Sequence, residues 1–410
     1  MTNIYNIHRF PNGVRLVHRK TKSSVAHFGI MVNAGSRDEL EEEQGLAHLI
    51  EHMIFKGTPK RTAYQVISRL ENVGADMNAF TTKEETCVYA SFLTRHYGKA
   101  VELISDIVFN STFPEKELIK EKAVVIDEIN SYKDNPAEWI HDEFDEVLFP
   151  AHPLGRNILG KPARLKQFTP ADLQAFMKGS YLSNQVVVSS IGNLTFEQVI
   201  SRVGKYLEAL PAVSEEKQRI SPEGYLPQTI SRKFGRHQAH IILGNTGFHY
   251  HHPLRVPMAL LNNILGGPAM NSRLNLALRE KHGIAYNLES NFQPLSDTGL
   301  FTIYIGTDEK MVDKALDLVR MELDKLRNTT LSKNQLRIAR EQLKGQLAIS
   351  VESQQQEMIS AAKSILVYDK VDSTEEINAK IDKVSAEEIQ QAADIIFNPE
   401  SMSLLVYNRI

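Results

Sequence analysis

Two histidines and a glutamate stand close together in the stretch GLAHLIEHMIFKGT, residues 45–58. His48 and His52 are four residues apart, so in a helix they lie one turn apart on the same flank. Imidazole nitrogens at this spacing can bind a zinc ion, and Glu51 directly precedes the second histidine. The stretch therefore indicates a metal site that needs at least one more ligand.

The same stretch has the pattern of a short amphipathic helix. With each residue advancing by about 100°, one face carries only apolar side chains. These are Leu46, Leu49, Ile50, Met53 and Ile54. His48, Glu51 and His52 fall on the opposite flank, and Gly57 is placed to end the helix. The alternative is a surface helix in which two histidines occur by chance.

A second candidate segment, LIKEKAVVIDEINSYKDNPAEW, begins at Leu118. Glu121 and Glu128 are seven residues apart, so in a helix they lie within about 20° on one flank, two turns apart. One carboxylate from this flank could complete a site of two histidines and one carboxylate, with a fourth position open to water. The helical wheel does not choose between the two glutamates, and a solvated acidic face is the alternative.

The chain is long enough for two domains, with 410 residues and a polar, proline-bearing stretch at residues 209–227. AHFGIMVNAG from Ala26 resembles AHIILGNTGF from Ala239, an offset of 213 residues. TPADLQAFMKGSYLSNQVVVSSIG from Thr169 resembles VSAEEIQQAADIIFNPESMSLLVY from Val384, an offset of 215 residues. We therefore predict a duplicated domain, at residues 1–208 and 228–410, joined by a linker at 209–227.

Apolar β-type runs alternate with helical patterns in both halves. Examples are VRLVHRK, TCVYASFL and LFTIYIG for strands, and YGKAVELISDIVFN for a helix. We predict an α+β fold with two homologous domains, each a mostly antiparallel sheet with helices packed on one face.

Composition excludes several classes of protein. The formal net charge of −3 lacks the basic excess of a nucleic-acid binder, and no apolar run is long enough to span a membrane. A single cysteine, Cys87, rules out a disulfide within the chain, and the first residues lack the pattern of a secretory signal. We expect a cytoplasmic protein that binds neither nucleic acid nor membrane.

Beyond these patterns, the chain resembles the pitrilysin-type family of zinc peptidases, which have the inverted HxxEH motif and include insulin-degrading enzyme and the mitochondrial processing peptidase. In that family the third ligand follows the second histidine by some seventy-five residues, and another functional glutamate lies seven residues before it. Here 75 residues separate His52 from Glu128, and Glu121 lies seven before Glu128. The resemblance implies that Glu128 is the third zinc ligand and Glu121 a supporting carboxylate.

Further stretches follow the family pattern. VGADMNAFTTKEETCVY is similar to the edge at which the family binds its substrate, which implies substrate contacts from Asn78, Ala79, Phe80 and Thr81. DNPAEWIHDEFDEVLFPAHPLGRNILG follows the pattern as well.

The second half is expected to contribute to catalysis without binding metal. NSRLNLALREKHGIAYNLES resembles the stretch in which the family keeps an arginine and a tyrosine that contact substrate, here Arg279 and Tyr286. At the repeat offset the motif positions fall on Leu261, Ile264 and Leu265, none of which is a metal ligand.

The resemblance implies a metalloendopeptidase with one zinc ion per chain. Glu51 would act as general base on a zinc-bound water, with Tyr286 and Arg279 stabilising the oxyanion. Family members of this half-length type pair, so we predict a homodimer that encloses a chamber for peptides or unfolded segments, with active sites completed across chains. The alternatives are a non-catalytic structural subunit of the same fold, and one subunit of a heterodimeric precursor-processing peptidase.

Overall fold

The computed structural model describes residues 4–215, 217–235 and 238–409. The chain divides into two compact units, and neither is continuous in sequence. The first draws its described residues from the ranges Met1–Ile129, Arg156–Arg219 and Ser350–Ser373. The second draws them from Asn130–Gly155, Ile220–Ile349 and Thr374–Ile410.

A six-stranded sheet forms the centre of the first unit. Its strands, numbered in chain order, are β1 (Asn6–Arg9), β2 (Arg15–Lys20), β3 (Val25–Val32), β6 (Asp76–Thr81), β7 (Thr86–Leu93) and β8 (Val186–Gly192). The spatial order is β1-β2-β8-β3-β7-β6, and the pairings are antiparallel except for β2 with β8. A separate two-stranded ribbon joins β4 (Gly57–Thr58) to β5 (Arg61–Thr62).

The helices of the first unit include the two that carry the candidate ligands. They are α1 (Leu46–Met53), α2 (Ala63–Glu71), α3 (Tyr97–Phe109), α4 (Glu115–Lys133), α6 (Pro162–Leu165), α7 (Pro170–Ser180), α8 (Phe196–Leu207) and α12 (Gln354–Tyr368). The last four residues of α4 are assigned to the second unit. Helix α1 ends at Met53, not at Gly57 as the pattern predicts, because Gly57 begins the ribbon strand β4.

The second unit repeats the strand order of the first. Its strands are β9 (Thr229–Gly235), β10 (Ala239–Thr246), β11 (Ala285–Pro294), β12 (Gly299–Thr307) and β13 (Ser403–Arg409). The spatial order is β11-β12-β10-β13-β9, and only the β13–β9 pair is parallel. From β6 to β2 the first sheet shows the same sequence of antiparallel and parallel pairs, so the prediction of two homologous α+β domains is confirmed.

Six helices and a short π-helix accompany the second sheet. They are α5 (Pro136–Leu148), α9 (Arg255–Gly266), the π-helix (Asn275–Glu280), α10 (Val312–Asn328), α11 (Lys333–Ser350), α13 (Thr374–Lys383) and α14 (Ala386–Ile396). No helix among the described residues combines the length and the apolar character needed to cross a bilayer. The cytoplasmic location stays a prediction.

Each sheet is covered by helices on both faces, whereas the sequence predicted helices on one face. The second face of the first sheet presents Val17, Met31, Cys87 and Val187, and it packs against Ala361 and Ile365 of α12. The second face of the other sheet packs in the same way against Ile140 and Phe144 of α5. These faces are apolar and require cover.

The helices that cover the second faces come from distant parts of the sequence. For this reason the two units differ from the predicted continuous domains 1–208 and 228–410: residues 350–373 join the first unit and residues 130–155 the second. The predicted linker, residues 209–227, forms no helix or strand in its described residues.

Candidate metal centre

Helix α1 is held with its apolar face in the core of the first unit. Leu46, Leu49, Ile50 and Met53 are fully buried there. The helix begins at Gly45, whose φ of +92° is favourable for glycine and strained for other residues. A Cβ atom at that position would lie 2.7 Å from the carbonyl oxygen of Leu159. The start of α1 is therefore fixed by close packing of backbone against backbone.

Glu39 caps the beginning of α1 from outside the helix. Its two carboxylate oxygens accept hydrogen bonds from the backbone N–H of Ala47, at 2.7 Å, and of Gly45, at 3.0 Å. The backbone carbonyl of Glu39 in turn accepts one from Arg156, at 2.9 Å. A carboxylate at this end also interacts favourably with the helix dipole. Sequence reasoning missed Glu39, because its distance along the chain from α1 matches no local capping pattern.

His48 and His52 meet a carboxylate from α4. The Nε2 atom of His48 lies 3.9 Å from Oε2 of Glu128, and Nε2 of His52 lies 3.7 Å from the same oxygen. Among the described residues, these three side chains form the one group of histidine, cysteine or acidic residues whose ligand atoms are close enough to hold a metal ion, all within 4.8 Å of one another.

This donor set fits a zinc ion. Ligand atoms that bind zinc tetrahedrally at about 2.0–2.1 Å lie about 3.4 Å from one another. The separations of 3.7 and 3.9 Å between the histidine nitrogens and Glu128 are only slightly wider than this. Two imidazoles and one carboxylate also leave a fourth position free, as in catalytic zinc sites.

Both histidines are suited to bind a metal, for different reasons. Burial, followed by the neighbouring His52, lowers the pKa of His48 to about 3, so its ring is neutral at neutral pH, the form that binds metals. The Nδ1 atom of His52 lies 3.2 Å from Oε2 of Glu121, which can accept its proton and leave Nε2 free. The Nδ1 atom of His48 has no such hydrogen bond within the described part of the chain.

Glu51 lies between the ligands and the edge of the sheet. Burial raises the pKa of its carboxyl group, and the charge of Glu128 acts in the same direction. Its side chain adjoins Thr81, the last residue of strand β6. Glu51 is outside the three-residue ligand group and beside it, where a group that exchanges protons with a water molecule is needed.

Strand β6 contains Asn78, Ala79, Phe80 and Thr81 and forms an outer edge of the first sheet. It pairs with β7 on one side, while the other side carries no neighbouring strand in the described sheet. Such an edge offers backbone N–H and C=O groups to an extended chain. Substrate binding by these four residues stays a prediction.

Arg279 and Tyr286 belong to the second unit. Arg279 lies in the last turn of the π-helix and lines an open cavity of about 460 Å³, together with Asn262, Asn263 and Glu289. Tyr286 lies in the edge strand β11 with 74% of its surface exposed. The structure thus brings His48, Glu51, His52, Glu121 and Glu128 together in the first unit, and it presents Arg279 and Tyr286 on the second.

Family models match both halves of the chain. Residues 15–162 match the model described as "Insulinase (Peptidase family M16)", and residues 167–343 match the model described as "Peptidase M16 inactive domain". The first match contains every candidate ligand, and the second contains Arg279 and Tyr286.

Relatives of similar length carry names of the same kind. "Uncharacterized zinc protease YmxG" of Bacillus subtilis is 34% identical over 96% of each chain. "Uncharacterized zinc protease SCO5738" of Streptomyces coelicolor is 32% identical over 96% of this chain and 88% of its own.

Solved structures share the fold. A crystal structure of a peptidase M16 inactive domain from Pseudomonas fluorescens superposes with a TM-score of 0.91 at 21% identity, over 99% of this chain and 98% of its own. A protease from Helicobacter pylori superposes with a TM-score of 0.88 at 20% identity, over 98% of this chain and 99% of its own. At this identity the likeness concerns the two-domain fold alone.

Proposed function

The chain belongs to peptidase family M16, as its resemblance to the pitrilysin-type peptidases implied, and we propose that it is a zinc-dependent endopeptidase. The observation that carries this proposal is the convergence of His48, His52 and Glu128 from two helices, with Glu51 beside them. The names of the relatives support a zinc-dependent peptidase. Its substrates would be peptides or unfolded segments of proteins.

The chemistry assigns separate roles to the clustered side chains. His48, His52 and Glu128 would hold one zinc ion per chain, and zinc supplies Lewis-acid chemistry for the hydrolysis of peptide bonds when bound. Glu51 takes a proton from the attacking water and later passes it to the leaving amine. Its raised pKa suits this exchange, since a general base works best when its pKa approaches the operating pH.

Substrate binding would use the free edge of strand β6. An extended peptide that pairs with Asn78–Thr81 adds a strand to the first sheet, and main-chain hydrogen bonds tolerate many side chains. Thr81 adjoins Glu51, so a peptide on this edge would run past the general base. Tyr286 and Arg279 would donate hydrogen bonds to the oxyanion that forms during attack.

Metal removal tests the peptidase assignment. The purified protein should cleave a quenched fluorescent peptide, and 1,10-phenanthroline should slow cleavage by at least about 100-fold, since the Lewis acid contributes several kcal/mol. Zinc should restore the rate, whereas magnesium should not, because two imidazole ligands select against it. Cleavage that is unaffected by the chelator would exclude a metal-dependent mechanism.

We further propose that two copies of the chain form a homodimer with an enclosed chamber. In each active site, Arg279 and Tyr286 of one copy would face the metal ligands of the other. The support is that one chain carries both sets of residues, while the structure assigns them to different units.

Mixing two inactive variants tests this arrangement. Glu51→Gln removes the base, and Tyr286→Phe removes one oxyanion donor, which typically costs about 10²–10³ in kcat. After subunit exchange at equal concentrations, half of the dimers should be mixed, and one of their two sites should be intact. Activity should then recover to about a quarter of the wild-type value.

A matched control uses two variants that disable the same unit. Glu51→Gln mixed with His48→Ala leaves every site defective, so no activity should return. Absence of recovery in the first mixture, with subunit exchange demonstrated by a mass or fluorescence label, would contradict shared active sites.

A further inference from the structure

Lys56 extends the hydrogen-bonded chain that begins at the candidate metal ligands. It lies just beyond helix α1, four residues after His52, and its backbone N–H donates to the carbonyl of Met53, at 3.0 Å. Its ammonium nitrogen lies 2.6 Å from Oε1 of Glu121. The other carboxylate oxygen of Glu121, Oε2, lies 3.2 Å from Nδ1 of His52. One carboxylate therefore bridges a lysine and a ligand histidine.

The bridge lies where a charge interaction is effective. The side chains of Glu121 and Lys56 are only 11% and 24% exposed, so solvent screens them less than a surface pair. Contacts between an ammonium group and a carboxylate are among the stronger hydrogen bonds of proteins. Within the described part of the chain, the ion pairs of Glu121 are with His52 and Lys56, which makes Lys56 its permanently charged partner.

Nearby negative charge increases the need for this lysine. Glu128 lies 3.7 Å from His52, and Glu51 stands next to the second histidine in the helix. A buried Glu121 without Lys56 would be a further carboxylate beside these two, free to rotate away from the ring it now contacts. Loss of one partner of a buried charged pair leaves the other uncompensated.

We propose that Lys56 is a positioning residue for the metal site. Its ammonium group holds the Glu121 carboxylate in the orientation that accepts the Nδ1 proton of His52, and this directs the Nε2 lone pair of His52 toward Glu128. The inference rests on the proposed zinc-dependent function and deepens it. Lys56 itself touches neither the ligands nor the substrate.

The two histidines differ in how much they depend on such support. Nδ1 of His48 has no hydrogen-bond partner among the described residues, so the ring of His48 is oriented by packing in the helix core. His52 is held through Glu121 and Lys56. Removal of Lys56 should therefore weaken metal binding through one ligand of three and leave the fold in place.

Zinc affinity of the full chain, measured by competition with a chromogenic chelator, tests the proposal. Lys56→Met should weaken zinc binding by about 10-fold, the lower end of the effect of outer-shell partners. Lys56→Arg, which keeps the charge, should stay within about 3-fold of wild type. The control Lys120→Met removes a lysine from an exposed pair with Glu117 on the same helix as Glu121, and it should leave the affinity unchanged.

A double-mutant cycle separates this role from a general loss of structure. In the background of Glu121→Gln, the change Lys56→Met should cost less than about 2-fold in zinc affinity, because the bridge is already broken. If Lys56→Met is poorly folded, judged by the thermal midpoint of the metal-free protein, Lys56→Gln takes its place in the cycle.

The outcomes distinguish this inference from the function on which it rests. Wild-type protein that binds zinc as tightly as Lys56→Met would overturn the role of Lys56 and leave the proposed function standing. An equal loss from Lys56→Met with and without Glu121 would overturn it as well. Wild-type protein that binds no zinc would overturn both.

Discussion

The change Glu51→Gln is expected to abolish peptide hydrolysis and leave zinc bound. The glutamine keeps the size of the side chain but cannot take a proton from water, and loss of a general base typically costs about 10²–10⁴ in rate. Zinc should remain at about one ion per chain, because His48, His52 and Glu128 supply the donor atoms and Glu51 does not. The measurements are kcat/KM on a quenched peptide and zinc content by mass spectrometry.

Glu42 offers a matched control for this change. It is an exposed glutamate nine residues earlier, and Glu42→Gln should alter neither hydrolysis nor zinc content. Hydrolysis by Glu51→Gln at a rate near that of wild type would remove Glu51 from the mechanism. Loss of zinc together with activity would instead make Glu51 a part of the metal site.

The change Glu128→Gln is expected to remove both zinc and activity. The amide oxygen is a weaker ligand than the carboxylate, and the two imidazoles alone leave a four-coordinate site half filled by protein. After dialysis against a chelator and then against zinc-free buffer, zinc should fall below about a tenth of the wild-type content, and peptide cleavage should fall with it.

Two neighbouring changes make this prediction specific. Asp127→Asn alters an exposed carboxylate next to Glu128 on helix α4 and should have no effect on zinc or activity. Glu121→Gln should keep zinc with weakened affinity, since Glu121 contacts Nδ1 of His52 and the Nε2 atoms of both histidines face Glu128. Full zinc retention by Glu128→Gln would contradict the assignment.

Spacing alone predicted much of the first unit's site. The interval between His48 and His52 indicates two ligands on one helical flank, and the interval between Glu121 and Glu128 puts both carboxylates on one flank of α4. Which of the two glutamates is the ligand required the family resemblance. In the structure they differ by the ring nitrogen of His52 that each one faces, which a helical wheel does not contain.

Other features depend on contacts between distant segments. The repeated strand order follows from the internal similarity of the sequence, whereas the helices α5 and α12 that cover the second face of each sheet do not. Their amphipathic pattern shows that they pack, but not against which sheet. Glu39 likewise reaches α1 through a turn of the chain that leaves no local signature.

Lys56 differs from these cases, because its signal was present in the sequence. It stands one helical turn after His52, as His52 does after His48, so the same spacing rule extends the polar flank to it. A spacing rule applied only to metal ligands overlooks residues of this kind. The hydrogen-bonded neighbours of a ligand histidine are set by the same geometry.

The position of a metal ion in crystals of the full chain tests the central claim most directly. Anomalous diffraction at the zinc edge should give one strong peak per chain, about 2.0–2.2 Å from Nε2 of His48, Nε2 of His52 and a carboxylate oxygen of Glu128. A peak bound by other residues, or no peak from protein that cleaves peptides, would contradict the account.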